Sequence, residues 1–238
     1  MTVRSLAEMH DQLPGQGGSS LAGGPIPVLP ALRRLLPDGL PRGQIVMVDA
    51  VGALPLALIA GAISVGDVGN DRWAAVVGVP EFGVLAAAGM AADLDRLLLI
   101  DEPGERWPEV VAALLPAVEV VLVQPPARPP TGVTRRLAAL ARQHGAVLIV
   151  AGAWEGARLR LQVTSALWTG LGDGHGHLRA RRVQVIADGR GAGARARTAW
   201  LWLPGPDGSV EPADLEAVED SSDDAPAQPQ PPQLGVAG

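Results

Sequence analysis

The sequence predicts an α/β protein with a mainly parallel sheet, flanked by helices on both faces and extended by antiparallel strands towards the C-terminus. Three observations carry this. Between residues 45 and 150, five apolar runs of strand length alternate with helical segments. Strands that are apolar on both faces belong in a parallel sheet covered on both sides. After Gly152 the pattern switches to period two in residues 158–164, 178–186 and 197–203, which predicts antiparallel strands with one wet face along the sheet edge. Finally, residues 43–59 read as a strand, a small-residue turn and an apolar helix, the order in which a phosphate loop is built.

In chain order, residues 1–26 combine a short amphipathic piece with a Gly/Ser-rich stretch and read as a flexible segment. Leu32, Leu35 and Leu36 then make one helical face, stopped by Pro37-Asp38-Gly39. The first strand is expected over 45–49 and its helix over 54–65. Strand 73–79, helix 84–90, strand 96–101, helix 107–115 and strand 118–123 follow. Residues 131–144 place Val133, Leu137, Leu140 and Ala141 on one helical face, and 146–150 is a fifth apolar strand. One domain is expected over 27–206, made of an α/β core (27–152) and an antiparallel extension (153–206). From residue 207 an acidic Pro/Gln-rich tail has too little apolar surface to order itself.

At 238 residues, 47% of them hydrophobic, the chain can bury one substantial core. It has no cysteine, so disulfides, thiolate metal sites and a cysteine nucleophile are excluded. The first sixteen residues lack a signal-peptide apolar region, and no apolar run reaches the roughly 18 residues of a membrane span. A cytoplasmic protein is expected. The net charge of −6 is uneven, because residues 211–238 carry seven carboxylates and no base. Nineteen arginines against eighteen carboxylates leave the rest nearly neutral, with eight of the arginines between 158 and 197.

The loop after the first strand lacks the chemistry its position suggests. A phosphate loop needs a lysine for the β- and γ-phosphates and a hydroxyl for Mg²⁺. Here Gly52 is followed by Ala53, Leu54 and Pro55, and the whole chain contains no lysine. No nucleotide cofactor is expected at Gly52, Ala53, Leu54 and Pro55.

The run LPALRRLLPDGLPRGQIVMVDA resembles the opening of RecA-type ATPases, and the strands at 73–79, 96–101 and 118–123 follow in the RecA order. The resemblance spans residues 27–203. With VVGVPEFGVLAAAGM, WPEVVAALLPAVEVVLVQPP and the WTGLGDGHGHLRARRV hairpin, the chain looks most like the actinobacterial ImuA-prime branch of the ImuA group. That resemblance implies a RecA-like core and a role in damage-induced, SOS-type mutagenesis. Its partners would be ImuB, an inactive Y-family polymerase homologue, and indirectly an error-prone DnaE-type polymerase and the sliding clamp, with nucleoid association during DNA damage. The chain departs from RecA at the metal-organising carboxylate, where Gln124 stands, and an amide supplies no charge for a Mg²⁺ shell. Glu81 lies near the position of RecA's general base, but has no lysine or metal to work with. Residues 151–156 are too short for RecA's DNA-gripping loop.

Other residues invite sharper readings. Asp173, His175 and His177 lie in a glycine-rich run, which reads better as a connection between strands than as a metal site. Asp101, Glu102 and Glu105 follow a strand, where open α/β sheets place their sites, yet carboxylates alone specify no reaction. Arg179, Arg181, Arg182, Arg195 and Arg197, with Trp168, Trp200 and Trp202, are candidates for contact with a partner or with single-stranded DNA. The commoner role of such residues is the solvent face and packing of an edge hairpin, and a nearly neutral body argues against strong DNA binding. The expectation is therefore a non-catalytic accessory protein without cofactor or metal. A single-stranded-DNA-binding module or a weak nucleotide binder is the alternative.

Overall fold

The computed structural model describes residues 24–65, 71–171, 176–189 and 195–213. Nine strands form one sheet in the order β3-β2-β4-β5-β1-β6-β7-β8-β9. They are β1 (Ile45–Val48), β2 (Ala74–Val77), β3 (Leu97–Ile100), β4 (Val120–Val123), β5 (Val147–Ala151), β6 (Leu159–Leu171), β7 (Gly176–Gly189), β8 (Arg197–Trp202) and β9 (Glu211–Pro212). The helices are α1 (Ala53–Ala62), α2 (Val84–Gly89), α3 (Trp107–Leu114) and α4 (Thr131–His144), and a 3-10 helix (Pro30–Arg34) precedes β1.

Alternation along the buried strands sends successive side chains into two cores. Val46, Val48, Val76, Leu122 and Ile149 face one side, under α1 and the 3-10 helix. Met47, Val77, Val123, Leu148 and Val150 face the other, under α3 and α4. Helix α4 has the expected bounds and buries Thr134, Leu137 and Ala141, while Gly145 at φ 67° ends it in the left-handed conformation. Helix α1 differs in kind. Nine of its ten residues are buried, so it has no wet face and must be enclosed. Gly61 permits the enclosure, since a Cβ there would stand 2.5 Å from the backbone nitrogen of Leu29 and 2.8 Å from Cα of Val28. The start of β2 is fixed by Glu119, whose carboxylate accepts the Trp73 N–H at 2.8 Å.

The join between the core and the extension was not foreseen, and two expectations need correction. β6 joins the core by running parallel to β1, with Val46 opposite Leu159 and Val48 opposite Leu161, and it opens the expected antiparallel extension through its pairing with β7. A strand with one wet face alternates in the same way whichever direction its neighbour runs. The hairpin arms are also longer than expected, at 13 and 14 residues. Order begins before residue 27, where Ile26 exchanges backbone hydrogen bonds with Leu40, and it continues past 207. There Pro212 pairs with Leu201, and the Ala213 N–H donates to the Trp200 carbonyl. The expected flexible segment up to residue 23 and the tail from 214 lie outside the described residues.

The close approach at Gly61 makes a direct prediction. Gly61→Ala gains helix propensity but forces the 3-10 segment away from α1, so urea denaturation is expected to show a net loss of about 1–3 kcal/mol.

Candidate functional site

The turn from β1 into α1 has phosphate-loop topology and different contents. Gly52 takes φ 133° and caps α1, and the Leu56 N–H donates back to its carbonyl at 3.3 Å. Leu54, Pro55 and Leu56, which open α1 where a phosphate loop would carry its ammonium and hydroxyl, are all buried. Asp49 is turned to structural use: one carboxylate oxygen accepts the Ala50 N–H at 3.1 Å and the other accepts the Val163 N–H at 3.0 Å. The second bond spans 114 positions and ties the loop to β6. It lands at a β-bulge, where Thr164 is the extra residue between Val163 and Ser165 and donates to the Gln184 side chain at 3.0 Å.

Over this loop lies a cleft of about 340 Å³, bounded by Asp49, Val51, Pro55, Thr164 and Arg181. It contains one carboxylate and one guanidinium, so the two charges offset each other. A polyphosphate needs a concentrated positive field, and this cleft has none. The Arg181 guanidinium lies 5.8 Å from the Trp168 ring centroid, and its Nε is buried without a hydrogen-bond acceptor.

The remaining carboxylates are scattered. Glu81, Asp101, Glu102 and Glu105 are all exposed. Among the described residues no three His, Asp or Glu converge on a point that could hold a metal ion. Gln124 follows β4 and is half-buried, its N–H donating to the Val77 carbonyl at 3.1 Å. His177 is exposed near the hairpin turn, while Asp173 and His175 lie outside the described residues.

The arginines and tryptophans grouped by sequence are not brought into one face. Arg182 is 4% exposed and its guanidinium stacks 4.8 Å from the Trp200 centroid, so these two satisfy each other within the sheet. Trp202 is half-buried directly opposite Arg182 on β8. Arg181 points to the opposite face, as successive strand residues must. Arg197 pairs with Ala187, six residues along β7 from Arg181, or roughly 20 Å. Arg179 and Arg195 are exposed. Apart from Trp168, which the sequence reading had singled out, the exposed side chains it missed are apolar. Leu167, Trp168 and Leu178 are 53%, 44% and 52% exposed on the outer half of the β6–β7 hairpin. No period-two pattern marks them, since Leu167 and Trp168 are adjacent and the arm is interrupted by Gly170 at φ 98°.

The family model described as the MT3502 N-terminal domain matches residues 34–156, which include the loop, Gln124 and helices α1 to α4. The chain belongs to this family. It is also 34% identical over 160 residues to the uncharacterized protein Rv3395c of Mycobacterium tuberculosis (strain ATCC 25618 / H37Rv), a match covering 66% of this chain and 72% of that protein. Among solved structures, the RadB recombinase superposes with a TM-score of 0.54 at 15% identity, covering 78% of this chain and 97% of RadB. At that identity the likeness is one of fold, and the fold is RecA-like. The family match ends near β6, so the hairpin and β8 lie outside it. Among the described residues no helix is long and apolar enough to cross a membrane.

Two predictions come from the loop. Restoring the missing groups as Pro55→Lys with Leu56→Thr places an ammonium and a hydroxyl in a dry core. A stability loss of at least about 2 kcal/mol is expected, with no rise in melting temperature on adding Mg²⁺-ATP. Asp49→Ala removes two acceptors and is expected to cost about 1–2 kcal/mol, with faster amide exchange at Val163, whereas Asp49→Asn retains part of both effects.

Proposed function

We propose that this protein is a non-catalytic, RecA-like accessory protein of a translesion-synthesis mutasome. In this reading it is a member of the ImuA group that holds an ImuB-like inactive Y-family polymerase. Through that partner it supports damage-induced mutagenesis by an error-prone DnaE-type polymerase working with the sliding clamp. The observation that carries the proposal is the β1–α1 turn, where the positions for phosphate chemistry are buried apolar residues and Asp49 anchors a neighbouring strand. A turn rebuilt in this way retains a scaffold's rigidity and gives up the means to bind a triphosphate tightly. Kinship with a mycobacterial protein supports the same reading.

The docking element is the outer half of the β6–β7 hairpin. Three large apolar side chains stand exposed there, Leu167 and Trp168 on opposite faces, a composition suited to a protein partner that grips the hairpin and buries aromatic and aliphatic anchors, which carry most of the binding energy. One observation favours a second reading: Trp168 and Arg181 lie together on one face of the hairpin, where a base could stack on the ring and a phosphate could meet the guanidinium.

In a binding assay between the full chain and the ImuB-like homologue from the same genome, Leu167→Asp with Leu178→Asp is expected to weaken association at least tenfold while leaving the melting temperature unchanged. Wild-type affinity in that variant removes the hairpin as the docking element. The second reading requires salt-dependent binding of a labelled oligonucleotide that Trp168→Ala abolishes.

A further inference from the structure

The two rims of the sheet differ. β9 is two residues long, Glu211 and Pro212, and a charge and a proline on a short edge strand discourage further pairing. At the opposite rim β3 presents Leu97, Leu98, Leu99 and Ile100, with no charge, proline or bulge. Leu99 is 39% exposed and Leu94, just before the strand, is 38% exposed. Among the described residues no strand pairs with the outer side of β3. One bond fixes where its backbone groups point: the Gly78 N–H donates to the Ile100 carbonyl at 2.8 Å, so Ile100 and, two residues back, Leu98 bond towards β2. The Leu97 carbonyl, both groups of Leu99 and the Asp101 N–H therefore point outwards at the rim.

We propose that this rim pairs with the same rim of a second copy, antiparallel about a two-fold axis through Leu99. A strand added here has to be apolar on both faces, because the sheet has a core on each side, and β3 is itself such a strand. Residues opposite each other in an antiparallel pair share a face, so the axis passes through a residue and not between two. With the axis at Leu99, its N–H and carbonyl are exchanged with those of Leu99 in the other copy, and each Asp101 N–H reaches a Leu97 carbonyl. Leu98 then lies opposite Ile100, and Arg96 opposite Glu102. An axis at Leu98 would instead set Asp95 against Asp101, two like charges, and one at Ile100 would set Leu97 against Pro103, which has no N–H. Arg96 already holds Asp93 at 3.2 Å, and Asp95, Asp101 and Glu102 leave the rim acidic, so salt should strengthen the pairing. The hairpin lies towards the other end of the sheet and stays open, so the pairing does not depend on the proposed function.

Sedimentation of the full chain over about a hundredfold range of concentration is expected to show a monomer–dimer equilibrium, with more dimer at about 1 M NaCl than at about 0.1 M. Leu99→Lys, which sets two ammonium groups against each other at the axis, should weaken the dimer at least tenfold and leave the melting temperature of dilute protein unchanged. The chain has no cysteine, so Leu99→Cys introduces a single thiol. Two such residues would stand about 5.5 Å apart between Cα atoms, within the span of a disulfide, and mild oxidation should give a covalent dimer. Leu178→Cys, equally accessible on the distant hairpin, should give far less. A chain that stays monomeric at both salt concentrations overturns the proposal and leaves the acidic rim to a basic strand from another protein. A dimer that Leu99→Lys leaves intact, or cross-linking no faster at 99 than at 178, overturns it because another face is then in use. Open-ended oligomers overturn it as well, since pairing about a two-fold axis closes at two copies.

Discussion

The constraint on which this structure depends is a helix with no polar face. An amphipathic helix can lie on a sheet and meet water on its far side, but α1 has to be surrounded. The sheet encloses it from below, the 3-10 segment is pressed against Gly61, and α2 contributes Ala87 to the same core. Because α1 begins one residue after Gly52, its enclosure also fixes the β1–α1 turn in place without any ligand. A phosphate loop ordered by its nucleotide depends on polar groups at the helix start. In this protein the helix start is itself core.

Asp49 completes the change. At the end of a central strand in an open α/β sheet, a carboxylate would be expected to face a ligand or a metal. Here both of its oxygens are used by backbone N–H groups, one next door and one on β6. The residue has become a connector between the parallel core and the hairpin. The hairpin in turn holds the exposed apolar side chains, so they are braced by the turn between β1 and α1.

Much of the core was legible in the sequence because its signals are local. Runs such as Val120–Val123 are apolar on both faces, and the stripe of Leu137 and Ala141 defines α4. The direction of β6 was not legible, since the spacing of Leu159 and Leu161 states only which side is buried. Order at Ile26 and Ala213 was also hidden. Each depends on one partner far along the chain, Leu40 and Trp200 respectively, and neither stretch shows a pattern of its own. At the candidate site, the loss of lysine and hydroxyl could be read from Gly52 to Leu56, but the fate of Asp49 could not, because its second donor is 114 residues away. The arginine cluster divides for the opposite reason. Neighbours in sequence, Arg181 and Arg182, fall on opposite sides of a strand, one beside Trp168 and the other against Trp200.

The bulge at Thr164 has a mechanical consequence. It lies where Asp49 fastens β6, and beyond it the strand continues for seven residues, roughly 23 Å, to Leu171. The Asp49 attachment is thus the pivot of a lever arm. A difference of about 5° in the angle at which the arm leaves the bulge would displace its tip by about 2 Å, the width of a single side-chain contact.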